Sequence, residues 1–145
     1  MKVAVAGAGV MGAGIALSSI QAGYTTLLFD VNEAALLKGK SYIQKELEKA
    51  VAKGKLTGDK AQSALQLLTP VTAVTALRAD IIIEAVLENL EIKQSLFQQL
   101  EAINTADTIL ATNTSSIPIT QIARGLQHPE RVVGVHFFNP AHIMK

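Results

Sequence analysis

The sequence predicts a doubly wound α/β fold: a mostly parallel sheet with helices on both faces, and a helical pair inserted after the second strand. Three observations predict it. Short apolar runs alternate with stretches whose apolar residues recur at helical spacing. The first run ends in a glycine cluster that opens directly into a helical pattern. The second run ends at an aspartate.

Each element has its own signal. Lys2–Ala6 is a short apolar run suited to a buried parallel strand. Gly12 to Ala22 reads as a helix carrying Ile15, Leu17 and Ile20 among small residues, with Gly23 placed to end it. Thr25–Phe29 is β-branched and then apolar, a second strand stopped by Asp30. Strand, glycine turn, helix and strand together make a βαβ unit. Glu33 to Lys53 is a longer helix with Leu36, Leu37, Tyr42, Ile43, Leu47 and Val51 as its apolar positions, broken at Gly54. A second helix from Asp59 to Leu68 is expected to end at Thr69-Pro70, because proline keeps the preceding residue out of the helical region. Ala79–Glu84 is the most strand-like segment. Leu90–Ile103 follows as an amphipathic helix, then Thr108–Thr112 as a strand, Ile119–Gly125 as a short helix and Val132–Phe138 as the last strand. No repeat, linker or low-complexity tract divides residues 1–145, which read as one domain.

Composition narrows the function classes. With 145 residues, 49% hydrophobic and 17% charged, the chain can bury a core and is not generally disordered. A net charge of +1 leaves no electrostatic footprint for nucleic acid, so none is expected as a partner. The absence of cysteine removes disulfides and thiolate metal sites, so no metal is expected and a cytoplasmic setting is allowed. The uncharged run from Val3 to Phe29 resembles a membrane segment in outline. The spacing of Gly7, Gly9, Gly12, Gly14 and Gly23 explains that run better, and no membrane association is expected.

Gly7-Ala8-Gly9-Val10-Met11-Gly12 matches G-x-G-x-x-G. The pattern alone is weak, but here it follows a strand, opens a helix, and precedes by 18 residues an acidic side chain, Asp30, at the end of the next strand. That is the dinucleotide-binding fingerprint of the Rossmann fold. Gly7 would allow the tight turn, Gly9 would let the backbone approach a pyrophosphate, and Gly12 would let helix and strand pack closely. The phosphates would meet free N–H groups, including those of Val10 and Met11, at a helix N-terminus. Asp30 would accept hydrogen bonds from the adenosine ribose and repel a 2′-phosphate, so NAD is favoured over NADP.

Three further segments carry a family resemblance: Val5–Ile15 around the glycines, Ile83-Glu84-Ala85-Val86-Leu87-Glu88-Asn89-Leu90, and Asn113-Thr114-Ser115-Ser116 taken with His136-Phe137-Phe138-Asn139-Pro140. In these the chain resembles the 3-hydroxyacyl-CoA dehydrogenases, most closely the 3-hydroxybutyryl-CoA type. The resemblance covers the whole chain but only the N-terminal, NAD-binding part of the family's architecture. In the family a mostly helical C-terminal domain follows, completes the substrate site and makes the homodimer; the resemblance implies that residues 1–145 do not include it.

The resemblance implies oxidation of an L-3-hydroxyacyl-CoA to the 3-ketoacyl-CoA with hydride passing to NAD, as in fatty-acid β-oxidation. It implies His136 as the catalytic base, with Ser115 near the substrate oxygen and nicotinamide and Asn139 beside them. Ala85, Glu88 and Lys93 match positions lining the cofactor groove. The family's glutamate partner of the histidine would fall beyond Lys145, so this piece is expected to hold NAD but to turn over little substrate. Residues 33–60 carry seven of the thirteen basic side chains against four acidic ones. In the family this helical pair lies near CoA, so the resemblance suggests Lys53, with Lys49 and Lys55 beside it in sequence, as contacts to CoA phosphates, against the plain alternative of a solvated helix face. Glu46 stands where relatives carry a serine.

Other histidines read as incidental: His128 in a loop, and His142 outside the motif. Glu84 and Glu88 also have a plainer reading as surface charges. Two rival readings share the fold: a non-catalytic dinucleotide-binding module, and a dehydrogenase acting on a free hydroxy acid.

Overall fold

The computed structural model describes residues 1–142. Its elements, in chain order, are β1 (Lys2–Ala6), α1 (Val10–Gln21), β2 (Thr25–Phe29), α2 (Glu33–Ala52), α3 (Gly58–Gln66), β3 (Leu68–Val71), β4 (Ile81–Glu84), α4 (Leu90–Ile103), β5 (Ile109–Thr112), α5 (Ile119–Ile122) and β6 (Val132–Gly134). Six strands form one sheet in the order β3-β2-β1-β4-β5-β6, and every pairing is parallel. The order reverses between β1 and β4, the switch point at which α/β sheets open a crevice beyond the strand ends.

The sheet separates two cores because strand side chains alternate. Val3 and Val5 of β1 and Leu28 of β2 face α1, α2 and α3, where Ile15, Ile20, Ile43 and Leu47 are buried. Ala4, Ala6, Leu27 and Phe29 face the other way, onto Phe97 and Leu100 of α4 and Ile122 of α5. A one-residue slip of register would exchange the two sets, so the apolar pattern fixes the pairing. Each fully buried Ile, Leu or Phe contributes about 1.5–3 kcal/mol relative to exposure.

Helix ends follow their capping residues. Asn32 caps α2 by accepting from the N–H groups of Ala34 and Ala35, Thr57 caps α3 through Lys60, and Asn89 caps α4 through Ile92. Helix α1 differs: its N-cap is Gly9, with no side chain to cap it. At the other end Gly23, with φ of 86°, turns the chain as expected.

The sheet expected to be mostly parallel is parallel in every pairing. Three expectations change. Helix α1 begins at Val10, so Gly12 lies inside it. Leu68–Val71 is a strand rather than a helix end: β3 lies at the sheet edge, where Pro70 can sit without costing a ladder hydrogen bond. The last strand stops at Gly134 rather than Phe138. Beyond it, the amide of Phe137 donates not to a strand but to Asn113 Oδ1, at 2.8 Å.

Candidate functional site

A cleft of about 1080 Å³ opens at the switch point, walled by the glycine turn, the end of β2 and the loop after β4. It is at the large end of small-molecule sites. Of the residues singled out from sequence as cofactor contacts, Gly7, Gly9, Val10, Met11, Asp30 and Ala85 line it. The three glycines do different work. Gly7 has φ of 110°, and a Cβ there would stand 2.5 Å from the Ala85 carbonyl oxygen. A Cβ on Gly12 would meet the Gly7 carbonyl oxygen at 1.8 Å, so this glycine serves close packing of α1 on the turn itself. A Cβ on Gly9 would meet nothing within 4 Å. Nothing in the protein's own packing requires glycine there, and the space a side chain would fill belongs to the cleft.

Asp30 ties the turn together. Its Oδ2 accepts from the Ala8 N–H at 3.0 Å and its Oδ1 from the Asn32 N–H at 2.9 Å. Each oxygen keeps lone-pair capacity for a further donor. Val31 and Leu87, 81% and 75% exposed, present apolar side chains at the cleft wall. An uncapped helix start, a fixed carboxylate and exposed apolar flanks suit a ligand with phosphate, hydroxyl and aromatic parts. This donor set fits NAD.

Deeper in the fold, beneath the loops that follow β4 and β5, lies a polar cluster. Glu84, at the end of β4, is fully buried. Its carboxylate accepts from Lys93 Nζ at 2.7 and 2.9 Å, from Thr112 Oγ1 at 2.7 Å and from the Val86 N–H at 2.8 Å. Glu84 is therefore not a surface charge. Lys93 is equally buried and does not line the cleft. Its ammonium joins Glu84 to Glu88, whose Oε2 is 3.7 Å away. Glu88 Oε1 accepts from the Thr114 hydroxyl and, at 3.5 Å, from Ser116 Oγ.

Burial works to raise the pKa of Glu88, but the Thr114 hydroxyl and the Lys93 charge outweigh it and hold the carboxyl below its ordinary value of 4.5. A lowered carboxyl pKa adds stability above the ordinary value, which is lost as pH falls through the lowered one. The gap in melting temperature between wild type and Glu88→Gln should therefore be widest near neutrality and close as pH falls below 4.5.

The predicted catalytic residues stand on two loops at the same edge of the sheet. Ser115 lies exposed in the segment after β5, and His136 and Asn139 lie exposed in the segment after β6. The His136 ring packs edge-on against Phe138, with centroids 4.9 Å apart. Asn113 braces the histidine segment through the Phe137 amide, and its own N–H donates to the Glu84 carbonyl oxygen at 2.9 Å. Lys53 is exposed at the end of α2, outside the cleft.

His142 is not incidental. Its side chain is 10% exposed, its Nε2 lies 3.4 Å from Glu46 Oε2, and its ring meets Tyr42 edge-on. Glu46 also accepts from Lys49 Nζ at 2.6 Å, and that bond above all holds its pKa low. Sequence reading missed Asn113, Glu84 and His142 as structural participants. The proximity of Glu84 to the glycine turn was in principle legible, since β4 neighbours β1 in this topology.

The profile for the family described as "3-hydroxyacyl-CoA dehydrogenase, NAD binding domain" matches residues 2–145. The chain belongs to that family. Such a dehydrogenase domain accounts for the cleft, and NAD is the cofactor its description names. The chain is 48% identical over 144 residues to a 3-hydroxyadipyl-CoA dehydrogenase of Escherichia coli, covering 99% of this chain and 30% of that protein. It is 43% identical over 145 residues to a 3-hydroxybutyryl-CoA dehydrogenase of Mycobacterium tuberculosis, covering 99% of this chain and 51% of the relative. The crystal structure of an Escherichia coli 3-hydroxybutyryl-CoA dehydrogenase superposes with a TM-score of 0.97 at 47% identity, covering 100% of this chain and 31% of that one. The chain thus spans only 30% to 51% of the length of these relatives. Among its described residues no helix is long and apolar enough to cross a membrane.

Proposed function

We propose that this domain binds NAD in the switch-point cleft and serves the oxidation of a 3-hydroxyacyl-CoA to the 3-ketoacyl-CoA. The observation that carries the reading is the glycine turn: Gly9 leaves α1 uncapped and opens onto a cleft that also holds the Asp30 carboxylate. In this reading the first N–H groups of α1, those of Val10, Met11 and Gly12, hold the pyrophosphate. Asp30 accepts from the adenosine ribose hydroxyls. Ala85 shapes the groove, and Glu88, set by Lys93, orients the ribose nearer the reacting end. Bound NAD supplies the hydride acceptor. His136 takes the hydroxyl proton as C3 is oxidised, a task suited to an imidazole near neutral pH. Ser115 and Asn139 donate to the reacting oxygen. Lys53 meets the CoA phosphates. A helical C-terminal domain of the family's kind would complete the acyl pocket and form the homodimer.

Calorimetry tests the cofactor half. NADH should bind, and NADPH at least tenfold more weakly, because the Asp30 charge repels a 2′-phosphate. Asp30→Asn should weaken NADH and narrow the gap between the two dinucleotides. Equal affinity for both in the wild type, or no binding by the folded chain, would overturn the reading. Acetoacetyl-CoA reduction by NADH tests the catalytic half, with His136→Gln expected to abolish whatever turnover the chain sustains.

A further inference from the structure

We infer that Glu84 is a positioning residue whose buried carboxylate and main chain together hold both catalytic loops in register with the cofactor cleft. The inference rests on the proposed roles of Ser115, His136 and Glu88.

Two chains of contacts start from this one residue. The first runs through its side chain. Glu84 Oε1 and Oε2 grip the Lys93 ammonium, Lys93 lies 3.7 Å from Glu88, and Glu88 accepts from the hydroxyls of Thr114 and Ser116, the residues on either side of Ser115. Thr114 Oγ1 in turn accepts from the Ile117 N–H at 3.0 Å, closing the loop. The second chain runs through the backbone. The Glu84 carbonyl oxygen accepts from the Asn113 N–H, and Asn113 Oδ1 accepts from the Phe137 N–H, next to His136. Glu84 Oε1 also fixes the amide of Val86, a residue of the cleft wall. Glu84 itself neither lines the cleft nor reaches solvent. It acts through Lys93 and Glu88, whose ammonium and carboxylate are held at set positions by a fully buried partner that is itself hydrogen-bonded to Thr112 and the Val86 amide.

A merely structural glutamate would support the fold without being coupled to Glu88 in cofactor binding. A double-mutant cycle on NADH affinity separates the two roles. Glu84→Gln keeps the size of the side chain, a carbonyl oxygen for the Val86 amide and a donor for Thr112. Glu84→Gln and Glu88→Gln should each raise the NADH dissociation constant about tenfold, and the double variant should be little worse than the worse single one, as for residues acting in one network. Multiplying effects, or an unchanged affinity in Glu84→Gln, would overturn the inference. Should Glu84→Gln fold poorly, the Glu84→Gln/Lys93→Met double variant, which leaves no net charge at the buried pair, gives the answer: adding Glu88→Gln to it should cost little further NADH affinity, and a full further loss of about tenfold would refute coupling through Lys93. A second readout needs no cofactor. In the ligand-free protein, Glu84→Gln should shift the amide resonances of Ser115, Ser116 and Ile117, while those of Ile15 and Leu17 stay in place. Failure of wild type to bind NADH would overturn the cofactor reading alone, whereas unmoved loop resonances would overturn the positioning role.

Discussion

Gly9→Ala is expected to abolish tight NADH binding while leaving the fold nearly intact, and Gly12→Ala to damage both. The contrast follows from what each new methyl group meets. At Gly9 a Cβ finds no protein atom within 4 Å, and the residue has an ordinary φ of −65°. The stability cost reduces to the poorer N-cap preference of alanine, about 1 kcal/mol or less. In the proposed mode of NAD binding the methyl instead occupies the space through which the pyrophosphate would come within hydrogen-bonding range of the first α1 amides. A loss of at least tenfold, about 1.4 kcal/mol, is the smallest expected consequence. At Gly12 the methyl would lie 1.8 Å from the Gly7 carbonyl oxygen and 2.8 Å from its carbon, both backbone atoms. Neither can swing aside, so α1 must lift off the turn, at a cost of about 3 kcal/mol or more, the upper end for overpacking. Thermal unfolding and calorimetry on the two variants read the outcome. Equal destabilisation by both substitutions would mean that the turn does not have the described geometry. Tight NADH binding by Gly9→Ala would place the phosphates elsewhere.

Those glycines were legible in the sequence because backbone chemistry leaves few alternatives. A tight turn between a strand and a helix restricts residue type at fixed spacings, and Gly7, Gly9 and Gly12 show that restriction without any tertiary information. The strands of the interior were legible for a related reason: Val3–Ala6 of β1 is buried on both faces, Ile81–Ile83 of β4 is buried or half-buried, and both read as apolar runs. Edge elements were not. Strand β3 contains Thr69 and Pro70, which local rules assign to a helix end, and only pairing with β2 makes it a strand. Strand β6 is cut short because Asn113 takes the amide that a longer strand would have presented.

The candidate site divides along the same line. Asp30 announces itself by its distance from the glycines, whereas Glu84 and Lys93 look like ordinary charges nine residues apart, on a strand end and a helix. Their pairing depends on α4 folding back onto the sheet. His142 escaped for the same reason, since its partner Glu46 lies on a helix nearly a hundred residues away in the chain.

Lys93→Met is expected to be among the most destabilising single substitutions in the chain, at about 3–5 kcal/mol, because it strands a buried carboxylate. Both partners of the pair are essentially inaccessible to solvent. In the wild type, the ammonium balances the Glu84 charge at 2.7 Å while Thr112 and the Val86 amide satisfy the remaining carboxylate lone pairs. Methionine matches the aliphatic length of lysine, so packing is little changed and the loss is chiefly electrostatic. The pair itself adds less than that loss suggests, because desolvating two ions offsets most of their attraction. Glu84→Gln combined with Lys93→Met should therefore recover most of the lost stability. The glutamine carbonyl can still accept from Val86, its amide can donate to Thr112, and no net charge is left inside. Urea unfolding of the two single variants and the double variant measures this directly. A double variant as unstable as Lys93→Met alone would mean that packing around the lysine stem, rather than the uncompensated charge, governs the site.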